Sequence, residues 1–104
     1  MECKPTIKEN IVWSESPEDI ELANLTKALG NVTRIRILKM LIKRNSCVCS
    51  EIVDELPLSQ STVSQHLKVL KEVGLIQGTI KGPNVCYCIN PDVLKKLKLL
   101  VVAL

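Results

Sequence analysis

Apolar positions recur along most of this chain at the helical period of about 3.6 residues, and over one stretch at a period of two. Ser16-Pro17-Glu18-Asp19 reads as a helix start. Serine can accept from free N–H groups, proline suits the first turn, and two acids face the positive end of the helix dipole. Ile20, Leu22, Ala23, Leu25 and Leu29 follow and Gly30 supplies a stop, so the spacing predicts a helix over 16–29. Asn31 can cap a second helix, in which Ile35, Leu38, Leu41 and Ile42 fall at helical spacing while Arg34, Arg36, Lys39 and Lys43 stay outside. After a link at 44–46, a short helix is expected over 47–56, with Val48, Ile52, Val53 and Leu56 on one side and Pro57 blocking continuation. Ser59 then opens a helix to Val73 that buries Val63, Leu67 and Leu70 and ends at Gly74, with Leu75 as the apolar residue of the cap. Two short helices joined by about three residues make a helix-turn-helix.

Beyond Gly74 the period shortens. Ile76, Gly78 and Ile80 alternate with polar residues, Lys81-Gly82-Pro83-Asn84 reads as a turn, and Val85, Tyr87 and Ile89 alternate with Cys86, Cys88 and Asn90. This is a β-hairpin, the wing of a winged helix. Asn90 or Pro91 starts a last helix with Leu94, Leu97, Val101 and Leu104 on a stripe and Leu99, Leu100 and Val102 beside it. So apolar a terminal helix is poorly solvated alone and argues for a second subunit. The expected fold is mainly α with a small β-hairpin, a homodimeric winged helix-turn-helix. It divides into an arm at 1–15, a DNA-binding domain at 16–92 and a dimerisation helix at 93–104. In the arm, Ile7, Ile11 and Trp13 need cover, so it reads as partly helical or docked.

Composition narrows this picture. At 104 residues and 46% hydrophobic the chain suits one domain, and with Trp13 and Tyr87 as its only aromatics the core must be aliphatic. Residues 1–30 carry three Lys against six acids, whereas residues 31–104 carry eleven Lys or Arg against five acids, so the basic part holds the helix-turn-helix. That asymmetry suits attraction to phosphate. No apolar run reaches the ~18 residues of a membrane span and no secretory leader opens the sequence, so a cytoplasmic protein without a membrane partner is expected. In that compartment thiols stay reduced, so five cysteines, at 3, 47, 49, 86 and 88, argue for metal ligation or redox chemistry over a disulfide framework.

The helix from Ser59 is lined with short polar side chains and has no acid before Glu72. Gln60, Ser61, Thr62, Ser64, Gln65, His66 and Lys68 are its candidates for contact with DNA. Glutamine can read adenine bidentately, and serine or threonine can meet bases or phosphates near a helix N-terminus. Lys71 and Lys81, the latter at the wing tip, are candidate backbone or minor-groove contacts. Ser59 reads as the cap. For each, the alternative is a solvated polar face. His66, the single histidine, suits a phosphate or helix-packing contact better than metal ligation or catalysis, since no acid or nucleophile has a place beside it.

Soft thiolates select As(III), Cd(II), Pb(II), Zn(II) or Cu(I), and Cys47-Val48-Cys49 can form a compact chelate. Within a helix, neighbours two apart diverge by about 200°, so both sulfurs reach one ion only where the helix frays or begins. The competing reading is a pair of small buried hydrophobes. Cys86 and Cys88 share one face of a strand with Cβ atoms about 6.5–7 Å apart, as a second metal site, a redox pair or half-exposed bystanders. The spacing leaves open whether they join Cys47 and Cys49.

The run Ala28-Leu-Gly-Asn-Val-Thr-Arg-Ile-Arg-Ile-Leu38, the pair Cys47-Val-Cys49, the helix Gln60 to Leu70, and Gly74-Leu-Ile leading into a Gly-containing wing resemble the ArsR/SmtB family of winged-helix, metal-responsive repressors, over roughly residues 20–92. The resemblance implies a homodimer built on its first and last helices. Such a dimer holds a palindromic double-stranded operator and releases it when an inducer binds. Two departures stand out. Arsenic-type members place a third cysteine three residues after the Cys-x-Cys, where this chain has Ile52, and Cys3 is the candidate replacement, conceivably from the opposite subunit. The zinc-type site on the last helix is missing its histidine. The expected function is therefore a repressor released by As(III), Cd(II) or Pb(II) at Cys47 and Cys49. The alternative is a thiol-based redox or persulfide sensor of the same fold, and a metal buffer or thiol enzyme that ignores DNA comes last.

Overall fold

A computed structural model of the chain describes residues 14–45, 47–49 and 53–104. Ser16 Oγ accepts the Asp19 N–H at 3.1 Å and Pro17 opens helix α1 (Pro17–Leu29). The Gly30 N–H donates to the Lys27 carbonyl and closes it. Asn31 Oδ1 then accepts the Arg34 N–H at 3.2 Å at the start of α2 (Val32–Arg44), which ends on Asn45 in the left-handed conformation, φ 48°.

The next segment departs from expectation. Residues 47–49 do not open a helix: Val48–Cys49 is a strand, β1, laid antiparallel on the wing. The part of the expected helix at 50–52 lies outside the described residues, as does the arm at 1–13. Val53 is buried and its carbonyl accepts the Leu56 N–H at 3.1 Å ahead of Pro57.

Ser59 caps α3 (Gln60–Glu72), whose buried residues are Val63, Leu67 and Leu70. The helix ends in a two-bond cap: the Leu75 N–H donates to the Leu70 carbonyl at 3.1 Å and the Gly74 N–H to that of Lys71 at 3.0 Å. Gly74 takes φ 82°, a conformation that a side chain disfavours, and Leu75 is sealed in the core. From there the chain enters β2 (Ile76–Lys81), turns through Gly82 and Pro83, and returns as β3 (Asn84–Ile89). Asn90 Oδ1 accepts the N–H groups of Asp92 and Val93 at the start of α4 (Pro91–Val102).

The sheet is thus three-stranded and antiparallel in the order β1-β3-β2, one strand more than a hairpin. Its Val48–Tyr87–Ile89–Ile76 face packs on the helices. Leu25, Leu41, Val48, Val63, Leu70, Leu75 and Ile76 are each 2% exposed or less and make an aliphatic core. In α2 the buried stripe is Ile37, Leu38 and Leu41, while Ile35 (38% exposed) and Ile42 (40%) face out, contrary to expectation. The reason is Arg34, one turn earlier on that same stripe: its Nε donates to the Ala28 carbonyl at the end of α1, so the inward face includes a charged residue. An ion pair of 2.6 Å between Lys96 and Glu21 ties α4 to α1. Outward from α4, Leu99, Val102 and Leu104 are 60%, 83% and 91% exposed. Among the described residues no helix is long and apolar enough to cross a membrane.

Candidate DNA interface and thiol site

Helix α3 presents its polar residues as a set because its apolar ones fall at i, i+4 and i+7. With Val63, Leu67 and Leu70 inward, Gln60, Ser61, Ser64, Gln65 and Lys68 are exposed. Thr62 is half-buried and differs in role. Its hydroxyl lies 2.7 Å from Ser59 Oγ, which also accepts the Thr62 N–H, so Thr62 completes the cap. Ser61 Oγ also approaches Ser59 Oγ, at 3.3 Å.

His66 is also half-buried. Its Nδ1 lies 3.4 Å from an Arg34 guanidinium nitrogen, so this side chain joins α3 to α2 and, through Ala28, to the end of α1. That is the helix-packing alternative rather than a free phosphate contact. Lys68 pairs loosely with Glu72 at 4.0 Å, both well exposed, and such a pair contributes little. Lys71 crosses from the end of α3 onto the wing: a Cβ on Gly78 would stand 3.4 Å from its Nζ and 3.6 Å from the Tyr87 ring. A side chain at 78 would thus stand in ordinary contact with the lysine and the tyrosine ring. Lys81 is exposed at the wing tip beside Gly82, with Ile80 79% exposed next to it.

The cysteines hold the larger surprise. β1 pairs with β3 in the register Val48 with Tyr87 and Cys49 with Cys86. Side chains alternate along a strand, so Cys47 and Cys49 share one face with Cys86 and Cys88, opposite to Val48 and Tyr87. The sulfurs are joined crosswise, Cys47 to Cys88 and Cys49 to Cys86, with Cα separations of 4.3 and 3.9 Å. Two expectations are corrected here. The Cys-x-Cys pair is not split across a helix surface, because its backbone is extended, and four of the thiols are paired as disulfides rather than free. Nor are Cys86 and Cys88 both half-exposed: Cys86 is 1% exposed, Cys88 and Cys49 are intermediate, and Cys47 is open. Cys3 lies outside the described residues.

On the other side of β3 the register places Thr79 beside Cys86 and Gln77 beside Cys88, so the paired positions bring neither acid nor imidazole to the sulfurs. Cys47 and Cys88 also line a cavity of 370 Å³ between the end of α2 and the start of α4, walled by Leu41, Ile42, Ile89 and Leu94. The donor set is all sulfur. When reduced it fits soft ions and is a poor host for Mg(II) or Ca(II).

A family model described as bacterial regulatory protein, arsR family, matches residues 31–77, from the cap of α2 into the wing. An uncharacterised HTH-type transcriptional regulator of Methanocaldococcus jannaschii is 41% identical over 80 residues, covering 76% of this chain and 89% of that one. A cadmium resistance transcriptional regulatory protein CadC homolog of Staphylococcus aureus is 31% identical over 84 residues, covering 80% of this chain and 67% of the relative. Among solved structures, an ArsR-like transcriptional regulator from Rhodococcus sp. RHA1 superposes with a TM-score of 0.70 at 27% identity, covering 81% of this chain and 78% of that one. The family match carries the helix-turn-helix and reaches the first wing strand, and the chain belongs to the ArsR/SmtB family of winged-helix transcriptional regulators, DNA-binding proteins rather than enzymes.

Proposed function

We propose that this protein is a homodimeric cytoplasmic repressor that lets go of a palindromic operator when a thiophilic metal or metalloid is captured by the thiolates of Cys47 and Cys49. As(III), Cd(II), Pb(II) and Zn(II) are the ions of matching chemistry, and the S. aureus relative, named for cadmium resistance, points in the same direction. Cys3 is the candidate third ligand. The observation that carries the reading is the extended backbone at 47–49: two sulfurs stand on one side of a strand that is hydrogen-bonded to the wing and lies ten residues before the cap of α3. An ion held there acts on both elements that face DNA.

In this reading Gln60, Ser61, Ser64, Gln65 and Lys68 meet the major groove, Thr62 and His66 brace the helix, and Lys71 and Lys81 contact the backbone. The dimer forms through α1 and α4, whose outer residues Ile20, Leu99, Val102 and Leu104 are exposed apolar surface. Paired recognition helices then enter successive major grooves about 34–36 Å apart.

Gel-shift titration of the reduced protein on its own promoter tests the proposal. Cys47→Ser with Cys49→Ser keeps operator binding and no longer releases DNA to arsenite, Cd(II) or Pb(II). Release surviving in that variant removes the site assignment. A second reading takes oxidation as the signal, with the crosswise sulfur pairs as its oxidised form. It predicts release by peroxide or polysulfide with metals chelated away.

A further inference from the structure

The strand register sets the two Cys-x-Cys pairs against each other, Cys49 opposite Cys86 and Cys47 joined to Cys88. Along a strand, residues two apart are separated by about 6.6–6.8 Å, and across the pair the Cα atoms are 4.3 and 3.9 Å apart. The four Cα atoms therefore mark a small rectangle within one subunit, with Thr79 and Gln77 as neighbours on β2; among the described residues no three ligands are set around an ion while the sulfurs are paired, so an ion requires their reduction and a lean of the side chains toward one another. Pairing across strands is one way to satisfy such an array; the other is to share an ion among the thiolates. Access exists for either. Cys47 is exposed and, with Cys88, opens onto the cavity between α2 and α4.

We propose that Cys47, Cys49, Cys86 and Cys88 form a single intrasubunit sulfur site that takes one thiophilic ion when reduced and closes to two cross-strand disulfides when oxidised, the two states excluding each other. The site clamps β1 to the wing strand β3 in both. In closing, each pair of thiols gives up two electrons and two protons. With a peroxide as oxidant, its O–O bond breaks, one S–S bond forms, and two molecules of water leave per hydrogen peroxide consumed. Loading an ion instead displaces the thiol protons and leaves sulfur at its reduced level. Cys86 and Cys88 then take the ligand role offered above to Cys3, and no residue of the partner subunit is required. The consequence for DNA rests on the reading given under Proposed function; the sulfur site itself does not.

The test is titration of the reduced full-length protein with Cd(II) alone, read by thiolate-to-metal ultraviolet absorption. The expected result is a single equivalent of Cd(II) per subunit, unchanged in Cys3→Ser and weakened at least tenfold in Cys86→Ser with Cys88→Ser. Protein first treated with hydrogen peroxide takes up no Cd(II), and its peptide map links Cys47 to Cys88 and Cys49 to Cys86. Wild-type behaviour of the Cys86 and Cys88 variant, together with loss in Cys3→Ser, overturns the proposal. Should the double variant misfold, alkylation of the wild-type protein decides. Cd(II) then protects the four strand cysteines and leaves Cys3 reactive, whereas protection of Cys3 with labelling of Cys86 and Cys88 contradicts the site. Operator binding followed in parallel separates the two ideas. Four protected cysteines with DNA still bound removes the repressor mechanism and keeps the site, while release that persists without Cys86 and Cys88 does the reverse.

Discussion

Arg34 and His66 show how far the placement of α3 is set by contacts between helices. One guanidinium serves the last turn of α1 through Ala28 and the middle of α3 through His66. Such charge-assisted bonds contribute more than neutral ones. We expect Arg34→Ala to cost about 1.5–3 kcal/mol in urea denaturation and to lower operator affinity through misplaced α3. A variant with unchanged stability and affinity contradicts that role. In α2 the sequence places Leu38 and Leu41 in the core as observed but puts Ile35 and Ile42 there too, because charge reads as a sign of exposure, whereas Arg34 is partly buried one turn before Leu38. By contrast, the i, i+4, i+7 pattern in α3 is legible in sequence, and so is the exposure of Gln60, Ser61, Ser64, Gln65 and Lys68, whereas Thr62 and His66, read as part of the same polar face, are half-buried. Gln65→Ala is expected to weaken operator binding by about 1–3 kcal/mol relative to random DNA, measured by anisotropy at fixed salt; equal losses on both DNAs make Gln65 a phosphate contact instead.

At the scale of elements, the caps are where local chemistry decides the fold. Ser16, Asn31, Ser59 and Asn90 each accept from the first turn of the helix that follows, and each is readable in sequence. Gly74 is readable too, and its φ of 82° makes Gly74→Ala costly. We expect a loss of about 1 kcal/mol or more, since Ala disfavours positive φ, with the β2 wing strand loosened in hydrogen exchange; a neutral substitution contradicts the cap. β1 was not legible. Two residues of strand carry too little periodicity to compete with the apolar spacing of 48, 52, 53 and 56, and what selects the strand is pairing to β3, a partner nearly forty residues away. A signal was present nonetheless. Cys47-Val48-Cys49 and Cys86-Tyr87-Cys88 are the same polar-apolar alternation written twice, and an antiparallel register superposes them. For the thiols, sequence identifies the residues and leaves their union open, because spacing alone carries no register between strands.

The whole molecule is small, with an aliphatic core and a last helix that leaves apolar side chains outside. A second subunit is the economical cover for α4, and Val102→Glu with Leu104→Glu is expected to shift sedimentation to the monomer and to weaken operator binding together; a dimer that persists places the interface elsewhere. The charge asymmetry also acts at this scale, because the basic segment that follows residue 30 contains both α3 and the wing. The central claim is that filling the sulfur site and letting go of DNA are one event. The most direct measurement follows both in the same cuvette: reduced protein bound to fluorescent operator, titrated with Cd(II), with thiolate-to-metal absorption and operator anisotropy recorded at each addition. The two signals should move together, anisotropy reaching that of free DNA as absorption saturates at one ion per subunit. Saturation of the absorption with the operator still held would contradict the account.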